Sequence, residues 1–264
     1  TSIRELETEM GIKIFTRTNK GVVTSNEGER FLGYARQVLE QASLLEGVYK
    51  SGTKIKQQFC VSTQHYSFAV NAFVDLIRRF AGEEYDFSLR ETETYEIIDD
   101  VAKMKSEIGI LYLNSFNKDA LMKIIKSKSL TFTELFTAKP HVFVSTDHPL
   151  ADKKSVTMEE LADYPYLSFE QGEHNSFYYS EEIFSTVGRT KNIRVTDRAT
   201  LFNLLIGLNG YTVCGAIDNE LNGDNITAIP LDEEGNMKIG YIENKKILHS
   251  NLAEAYIEAL KKHI

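Results

Sequence analysis

The sequence is poor in the residues that build disulfide frameworks and metal sites. It has two cysteines, no tryptophan and four prolines in 264 residues. Cys60 and Cys214 each lie within an apolar stretch, so they predict neither a disulfide framework nor a Cys-x-x-Cys pair for metal or redox chemistry. No apolar run approaches the ~18 residues that span a bilayer, and residues 1–20 are charged throughout, unlike a signal peptide. We therefore expect no membrane contact, no export and a cytoplasmic location.

Motifs of catalysis are also missing from the sequence. It contains no Gly-x-Ser-x-Gly, no phosphate-binding P-loop and no His-Glu-x-x-His, and its six histidines form no pair at i, i+4. Cys214 precedes Gly215 at the end of a predicted strand and is a conceivable nucleophile, but a packed, unreactive thiol is the favoured interpretation. The sequence thus predicts no enzyme, no metal site and no cofactor.

The charges that are present are distributed unevenly. Apolar residues make up 42% of the chain and charged residues 26%, a composition typical of chains that fold. The net charge is −8, yet residues 1–57 carry nine Lys/Arg against seven Asp/Glu, so the excess of acid lies in the remainder. This asymmetry indicates a small N-terminal module that can approach an anion, joined to a larger acidic body.

The first residues predict a helix followed by a hairpin. Thr1 to Met10 has helical apolar spacing, and Gly11 is placed to end the helix. Alternation of apolar and polar residues on both sides of residues 18–21 predicts a short hairpin, either the wing of a winged helix or an ordinary connection. Because the apolar stripe begins at Ile3 with nothing to pack against, we expect the chain to be a fragment that lacks a preceding segment.

A long helix is predicted next. Residues 24–27 have the form of a capping box, and the following residues up to Tyr49 contain no proline, which predicts a helix of ~37 Å. Its apolar side chains recur at heptad spacing, which favours a dimerisation seam over packing against the body of the same chain. The seam residues are Phe31, Ala35, Val38, Ala42, Leu45 and Tyr49.

The N-terminal motifs resemble those of a known family. The matching residues are Leu6-Glu7-x-Glu9-x-Gly11, Ile14-Phe15-x-Arg17 and Ser25-x-x-Gly28. In this order and spacing they resemble the second half of the DNA-binding domain of the LysR-type transcriptional regulators: the end of a recognition helix, a wing and the beginning of the linker helix. The resemblance implies that Thr1, Ser2 and Arg4 lie near the DNA groove and that Arg17 and Lys20 contact phosphates. Without the first helices of that domain, the chain is not expected to bind an operator alone.

The rest of the chain alternates strands and helices. Predicted strands at 59–62, 85–92 and 108–112 are separated by predicted helices, and the same rhythm restarts after Leu130 with further helices that include 157–161 and 175–186. Such alternation predicts an α/β fold with parallel, doubly wound sheets. The predicted 175–186 helix carries Tyr178, Tyr179, Glu181 and Glu182, which we expect to be exposed.

The body also resembles the LysR-type family. His148-Pro149-Leu150-Ala151 and the passage 207–212 are similar to blocks of its effector-binding domain. The resemblance implies two Rossmann-like lobes of the periplasmic-binding-protein type. The expected division is 1–24 for a partial winged-helix domain, 25–50 for the linker and dimerisation helix, 57–132 plus 248–264 for lobe 1, and 134–247 for lobe 2.

A cleft between such lobes predicts a binding site for a small polar or anionic molecule. Parallel strands end where the following helices begin, so backbone N–H groups and hydroxyls converge at one edge. Helix capping is the alternative role for each of these side chains. The candidate residues are Ser62, Thr63, Gln64, His65, Thr94, Ser115, Phe169 and Thr200.

The resemblance implies a LysR-type DNA-binding transcriptional regulator that senses a metabolite. Its expected partners are operator DNA, an effector of the amino-acid or sulfur-metabolite type, and further copies of the chain in a homodimer, with a homotetramer favoured. The alternatives are a solute-binding protein with similar lobes and, with less support, an α/β enzyme. The effector, the target genes and the sign of regulation stay open at this point.

Overall fold

The computed structural model describes residues 2–19, 21–49, 57–80, 82, 84–215 and 225–264, with the side chains of 44–49 left out. Thr1, Lys20 and the side chains of Leu45 and Tyr49 therefore lie outside the described residues. Within the described part of the chain, no helix has both the length and the hydropathy that crossing a membrane requires.

The N-terminal helix and hairpin are confirmed. Helix α1 (Ser2–Met10) ends at Gly11, whose φ of 66° suits glycine. Strands β1 (Phe15–Thr18) and β2 (Gly21–Thr24) pair antiparallel. The Glu7 side chain joins helix to hairpin, because its Oε1 accepts from the backbone N–H groups of Ile14 (2.7 Å) and Phe15 (3.0 Å). These hydrogen bonds to a carboxylate lower the pKa of Glu7.

The predicted long helix is confirmed as α2 (Asn26–Tyr49). Ser25 caps it, with its Oγ accepting from the N–H of Gly28 at 2.8 Å. On its outer surface, Val38 and Leu39 remain 67% and 66% exposed, which is unusual for two adjacent apolar side chains.

Helix α2 also contacts the body of the protein. The Lys103 Nζ lies 2.6 Å from Glu29 of α2 and 3.0 Å from Asp99 of the body. One turn further along α2, a Cβ added to Gly33 would lie 2.6 Å from the carbonyl oxygen of Lys103. Only a glycine permits the two backbones to approach so closely.

The body begins at residue 57. In chain order its elements are β3 (Gln57–Thr63), α3 (Ser67–Phe80), β4 (Tyr85–Glu91), α4 (Thr94–Ala102), β5 (Ile108–Leu113), α5 (Lys118–Ser127), β6 (Leu130–Ala138), β7 (His141–Ser145), β8 (Tyr166–Phe169), β9 (Asn192–Val195), α6 (Arg198–Leu208), β10 (Thr212–Cys214), β11 (Ile226–Pro230), β12 (Met237–Asn244) and α7 (Asn251–Leu260).

The first sheet has the strand order β4-β3-β5-β12-β6. Strand β3 pairs parallel with β4 and β5, as the alternation of elements predicts. Strand β12 is antiparallel to both β5 and β6, so the expectation of purely parallel sheets is wrong. The reason is topological, because β6 carries the chain out of this sheet and β12 carries it back.

The second half of the body has smaller sheets. Strand β7 pairs antiparallel with β10 and β11, and β8 pairs parallel with β9. The helices predicted at 157–161 and 175–186 are absent, since the first is a series of turns and the second contains only a 3₁₀ turn at Phe177–Tyr179. Phe184 has a φ of 62°, which an α-helix cannot accommodate.

One apolar core runs through both halves. Phe59, Phe73 and Tyr256 pack edge to face or stacked between β3, α3 and α7. Met237 and Ile239 of β12 belong to the same cluster as Val142 and Val144 of β7. Continuous packing of this kind lets the second half sit at a fixed position over the first sheet.

Two glycines provide a matched stability test. A Cβ on Gly109 of β5 would lie 2.8–2.9 Å from side-chain carbons of Ile97, Val101 and Ile242, whereas nothing lies within 4 Å of a Cβ on Gly207 of α6. We expect Gly109→Ala to lower the free energy of unfolding by about 1–3 kcal/mol through overpacking. Gly207→Ala should raise it by about 0.5–1 kcal/mol through helix propensity. Urea unfolding measures both, and equal stability of the two variants would contradict the packing described here.

Candidate ligand-binding cleft

The cleft lies where the ends of β3 and β4 face the second half of the body. Residues 64–66 connect β3 to α3, and Thr94 begins α4. Opposite them lie Phe169 at the end of β8, the segment 170–182 and the first turn of α6. The site is therefore built from both halves of the chain.

The predicted residues at the end of β3 form a buried, fully engaged layer. Gln64 Nε2 donates to Thr94 Oγ1 at 2.6 Å, and Gln64 Oε1 accepts from the Tyr66 hydroxyl and the Tyr112 N–H, both at 3.1 Å. Thr63 donates its hydroxyl to the Gln64 carbonyl at 2.7 Å, and Ser62 donates to Asp100 at 2.8 Å. These side chains fix the starts of α3 and α4 relative to each other.

His65 faces across the cleft. Its backbone N–H donates to Glu181 Oε2 at 3.0 Å, and its ring Nδ1 lies 2.9 Å from the same oxygen. The imidazole stacks on Phe169 with ring centroids 3.6 Å apart. The structure thus brings together two predicted site residues from opposite halves.

A glutamine makes the second link across the cleft. The backbone N–H of Thr94 donates to Gln171 Oε1 at 3.0 Å, and Gln171 Nε2 donates to Glu181 Oε1 at 3.3 Å. Gln171 and Glu181 are each only 6% exposed, and Glu182 is 4% exposed. The expectation that Glu181 and Glu182 are solvent-exposed is therefore wrong, because they lie on an irregular segment folded inward rather than on a helix.

Arg198 makes the third link. It is the first residue of α6, and its guanidinium donates to Ser67 Oγ at 3.0 Å and pairs with Glu91 at the end of β4. The predicted Thr200 lies in the same turn, but its N–H and hydroxyl both donate to Asp197, which caps α6. Those hydrogen bonds lower the pKa of Asp197. Thr200 and the predicted Ser115 are exposed and do not line the cavity.

The cavity at this junction has a volume of about 60 Å³. Its lining includes the ionisable residues His65, Glu181, Glu182 and Arg198. The remaining walls are mostly apolar, from Phe143, Phe169, Leu201, Phe202 and Val213. Ligand pockets in proteins are usually ~300–1,000 Å³, so the cleft in this conformation is closed around a space smaller than a metabolite.

A second, larger cavity of about 550 Å³ is lined by much of the segment 170–189 together with residues of β8 and β9. Arg189 is held there by donating to the Tyr211 hydroxyl and to the Phe184 and Val187 carbonyls, all at 3.1 Å, and its guanidinium lies 3.8 Å from the centroid of the Tyr166 ring. One Arg189 nitrogen and the Tyr166 hydroxyl are buried and have no hydrogen-bond partner among the described residues. Segment 170–189 therefore contributes to the walls of both cavities.

Glu182 is the most strongly perturbed acid of the site. Its Oε1 accepts from the Phe169 N–H at 2.8 Å, which holds the carboxyl group under the cleft. Burial, together with the adjacent Glu181 charge, raises the pKa of Glu182 to about 8. The described residues contain no group of three or more His, Cys, Asp or Glu side chains arranged to hold a metal ion.

Glu182 makes stability depend on pH. Because its pKa rises from ~4.3 in the unfolded chain to about 8 in the folded one, its stabilising contribution is complete below pH ~4 and is lost as the pH rises through 8. The free energy of unfolding of Glu182→Gln relative to the wild type should therefore increase from pH 5 to pH 8, by on the order of 2–4 kcal/mol. Urea titrations at several pH values measure this difference, with exposed Glu173→Gln as control. Parallel pH profiles for all three proteins would contradict the assigned burial.

Comparison with known proteins identifies the body. Residues 61–264 match the family described as the LysR substrate binding domain. Over 172 residues the chain is 27% identical to the uncharacterized HTH-type transcriptional regulator YnfL of Escherichia coli, a match that covers 64% of this chain and 54% of that protein. The chain thus spans about half the length of the curated relatives it matches. Those relatives are named as regulators of transcription, in agreement with the expectation that the chain is not an enzyme.

Solved structures show the same fold. A full-length OxyR variant from Pseudomonas aeruginosa superposes with a TM-score of 0.65 at 18% identity, over 98% of this chain and 86% of that one. The effector binding domain of QuiR in complex with shikimate superposes with a TM-score of 0.53 at 17% identity, over 79% of this chain and 97% of that one. The predicted α/β architecture with periplasmic-binding-protein-like lobes is thereby confirmed, and with most of its length matched by the LysR substrate binding domain, the chain belongs to the LysR family.

Proposed function

We propose that the protein is a LysR-type DNA-binding transcriptional regulator whose two-lobed domain senses a small polar or anionic metabolite in the cleft. The observation that carries this proposal is the convergence of the His65 and Thr94 backbone N–H groups with the Arg198 guanidinium at one junction between the halves. All three are hydrogen-bond donors, and the two backbone N–H groups lie at or just before the beginnings of helices, where anions bind favourably.

The apolar lining of the cavity indicates which class of ligand would fit it. A molecule that contacts Arg198 and the two N–H groups would place its remaining atoms against Phe143, Leu201 and Phe202. This combination favours a carboxylic acid with a short hydrocarbon part, such as an amino acid or a sulfur-containing derivative. The QuiR domain, a distant structural neighbour, was solved with shikimate, which is also a carboxylic acid.

Helix α4 gives the site a route to the DNA-binding module. Thr94, its first residue, lies in the cleft, and Lys103, which follows its last turn, pairs with Glu29 of α2. The helix is about 13 Å long, so a shift of its first turn reaches α2 through a rigid element. A ligand moves this equilibrium only if it binds the closed and the open cleft with different affinities.

The N-terminal module separates this proposal from the alternatives. A solute-binding protein or an α/β enzyme needs neither a wing nor a long helix with exposed apolar side chains, whereas a dimeric DNA-binding protein needs both. Ser2, Arg4 and Arg17 are exposed, as contacts to DNA require, while Thr1 and Lys20 remain assignments from sequence. We retain a cytoplasmic location as part of the same proposal.

The domain division and the assembly remain proposals. We retain 1–24 as the partial winged-helix domain, 25–50 as the linker helix, and 57–132 plus 248–264 and 134–247 as the two lobes, joined through β6 and β12. Exposed Val38, together with the partly buried Phe31 and Ala35, supports α2 as the seam of a homodimer. A homotetramer would require a further contact, between lobes of different subunits.

The effector site is tested by a metabolite screen. Thermal-shift measurements with a panel of carboxylic acids and amino acids should show stabilisation of the wild type, ~2.7 kcal/mol at 100 times Kd. For a metabolite found in this way, Arg198→Leu should weaken binding in calorimetry by ~1.5–3 kcal/mol, because a charged hydrogen bond is lost. Arg194→Leu, at an exposed position of β9, serves as the control. An unchanged affinity in Arg198→Leu would remove Arg198 from the site.

The dimer seam is tested by a charge in its centre. Val38→Asp should raise the dissociation constant of the dimer by at least tenfold, since it would place two carboxylates in an apolar interface. Arg36→Asp, about 200° around the helix from Val38, should leave the assembly intact. Sedimentation equilibrium distinguishes them, and identical behaviour of the two variants would argue against the α2 seam.

A further inference from the structure

The starts of α3 and α4 present two backbone donors that need acceptors. The Thr94 N–H is the first of α4 and has no partner within that helix, because the first N–H groups of a helix never do. His65 lies two residues before α3, and its N–H donates to no backbone carbonyl among the described residues. The Gln64 side chain, which hydrogen-bonds to Thr94, holds the two corners next to each other. In a closed cleft, acceptors for these groups have to come from the protein itself or from a ligand.

Both acceptors come from one segment of the second half. Glu181 accepts from His65 and Gln171 accepts from Thr94, and the two side chains are joined by the hydrogen bond from Gln171 Nε2 to Glu181 Oε1. The chain thereby places its own carboxylate and its own amide carbonyl in the position that the proposed function assigns to a small anionic molecule. Both side chains are more than nine-tenths buried.

Burial of the Glu181 carboxylate costs free energy unless hydrogen-bond donors surround it. A buried carboxylate loses its hydration, and Glu181 lies directly beside the buried Glu182. The two donors of His65 and the amide of Gln171 offset that loss with hydrogen bonds to a charged acceptor, the stronger type in proteins. Removal of Glu181 would leave the His65 N–H unpaired in a dry site. Another carboxylate is the replacement that restores the same bonds.

We propose that Glu181 is an internal ligand of the cleft, seated in the carboxylate subsite of the effector, so that the effector binds by displacing it. The proposal rests on the proposed function for the identity of the site. It adds that the effector is a carboxylic acid with a second acceptor, a carbonyl or an amide, that replaces Gln171 at Thr94. Its measured affinity is lowered by the fraction of molecules in which Glu181 occupies the subsite.

A small carboxylate tests the proposal without knowledge of the effector. Glu181→Ala removes the internal carboxylate and leaves room for formate beside the His65 N–H. Thermal unfolding of the full chain is followed in sodium formate, with sodium chloride added to keep the ionic strength constant. At about five times its half-saturating concentration, formate should raise the Tm of Glu181→Ala by roughly 2–4 °C in a saturable manner.

Two further variants complete the series. Glu173 is exposed and lies on the same segment, so Glu173→Ala should respond to formate no more than the wild type does. Glu181→Gln keeps the size and one acceptor but removes the charge, so its formate response should lie between those of the wild type and Glu181→Ala. If Glu181→Ala does not fold, the comparison of Glu181→Gln with the wild type decides whether Glu181 occupies the carboxylate subsite.

The results of these experiments distinguish the internal-ligand proposal from the proposed function. Equal formate responses of the wild type and of the folded Glu181 variants would overturn the internal-ligand proposal, whatever the metabolite screen finds. A selective formate response together with a metabolite screen that finds no ligand would support the internal ligand and count against metabolite sensing. A selective response together with a screened carboxylic acid that binds Glu181→Ala at least tenfold more tightly than the wild type would support both.

Discussion

The closed cleft depends on one constraint, which is that backbone N–H groups at or just before the starts of helices cannot remain unpaired away from water. His65 and Thr94 impose this demand at adjacent corners of the first sheet. The segment that follows β8 meets it with Glu181 and Gln171, and the need for those contacts explains why the segment abandons helical geometry and turns its acidic residues inward. The burial of Glu182 and the small volume of the cavity follow from the same arrangement.

The second determinant is the pair of strands that connect the two halves. Strands β6 and β12 run antiparallel beside β5, and Gly240 of β12 lies so close to β6 that an added Cβ would be 2.3 Å from the Thr133 carbonyl oxygen. Opening of the cleft would then be a rotation about this strand pair, which carries the chain between the two halves.

The sequence allowed the local elements to be predicted where the pattern is local. Ser25, Gly11 and the alternation around residues 18–21 predict the capped helix, the stop and the hairpin that the structure contains, because caps and turns depend on neighbouring residues. The corners at residues 62–65 and at Thr94 were found in the same way. Glu181 and Arg198 were missed, since their roles arise from contacts 116 and 131 residues away in sequence. Polar and charged residues are typical of solvent-exposed helices, and nothing in the spacing of these residues distinguishes a buried contact across the cleft from an exposed position.

The contact between Lys103 and helix α2 connects the cleft to the N-terminal module, and it connects that module to the cleft as well. The pairing of Lys103 with Glu29 and the close approach of Gly33 join α2 to the end of α4, so a displacement of α2 would be passed to the helix whose first residue is Thr94. Linkage requires that the coupling free energy be the same from either end. If the protein binds promoter DNA and a metabolite as proposed, the DNA would itself be an effector of the cleft, and a cell with many occupied operators would set a different threshold concentration for the metabolite than a cell with few.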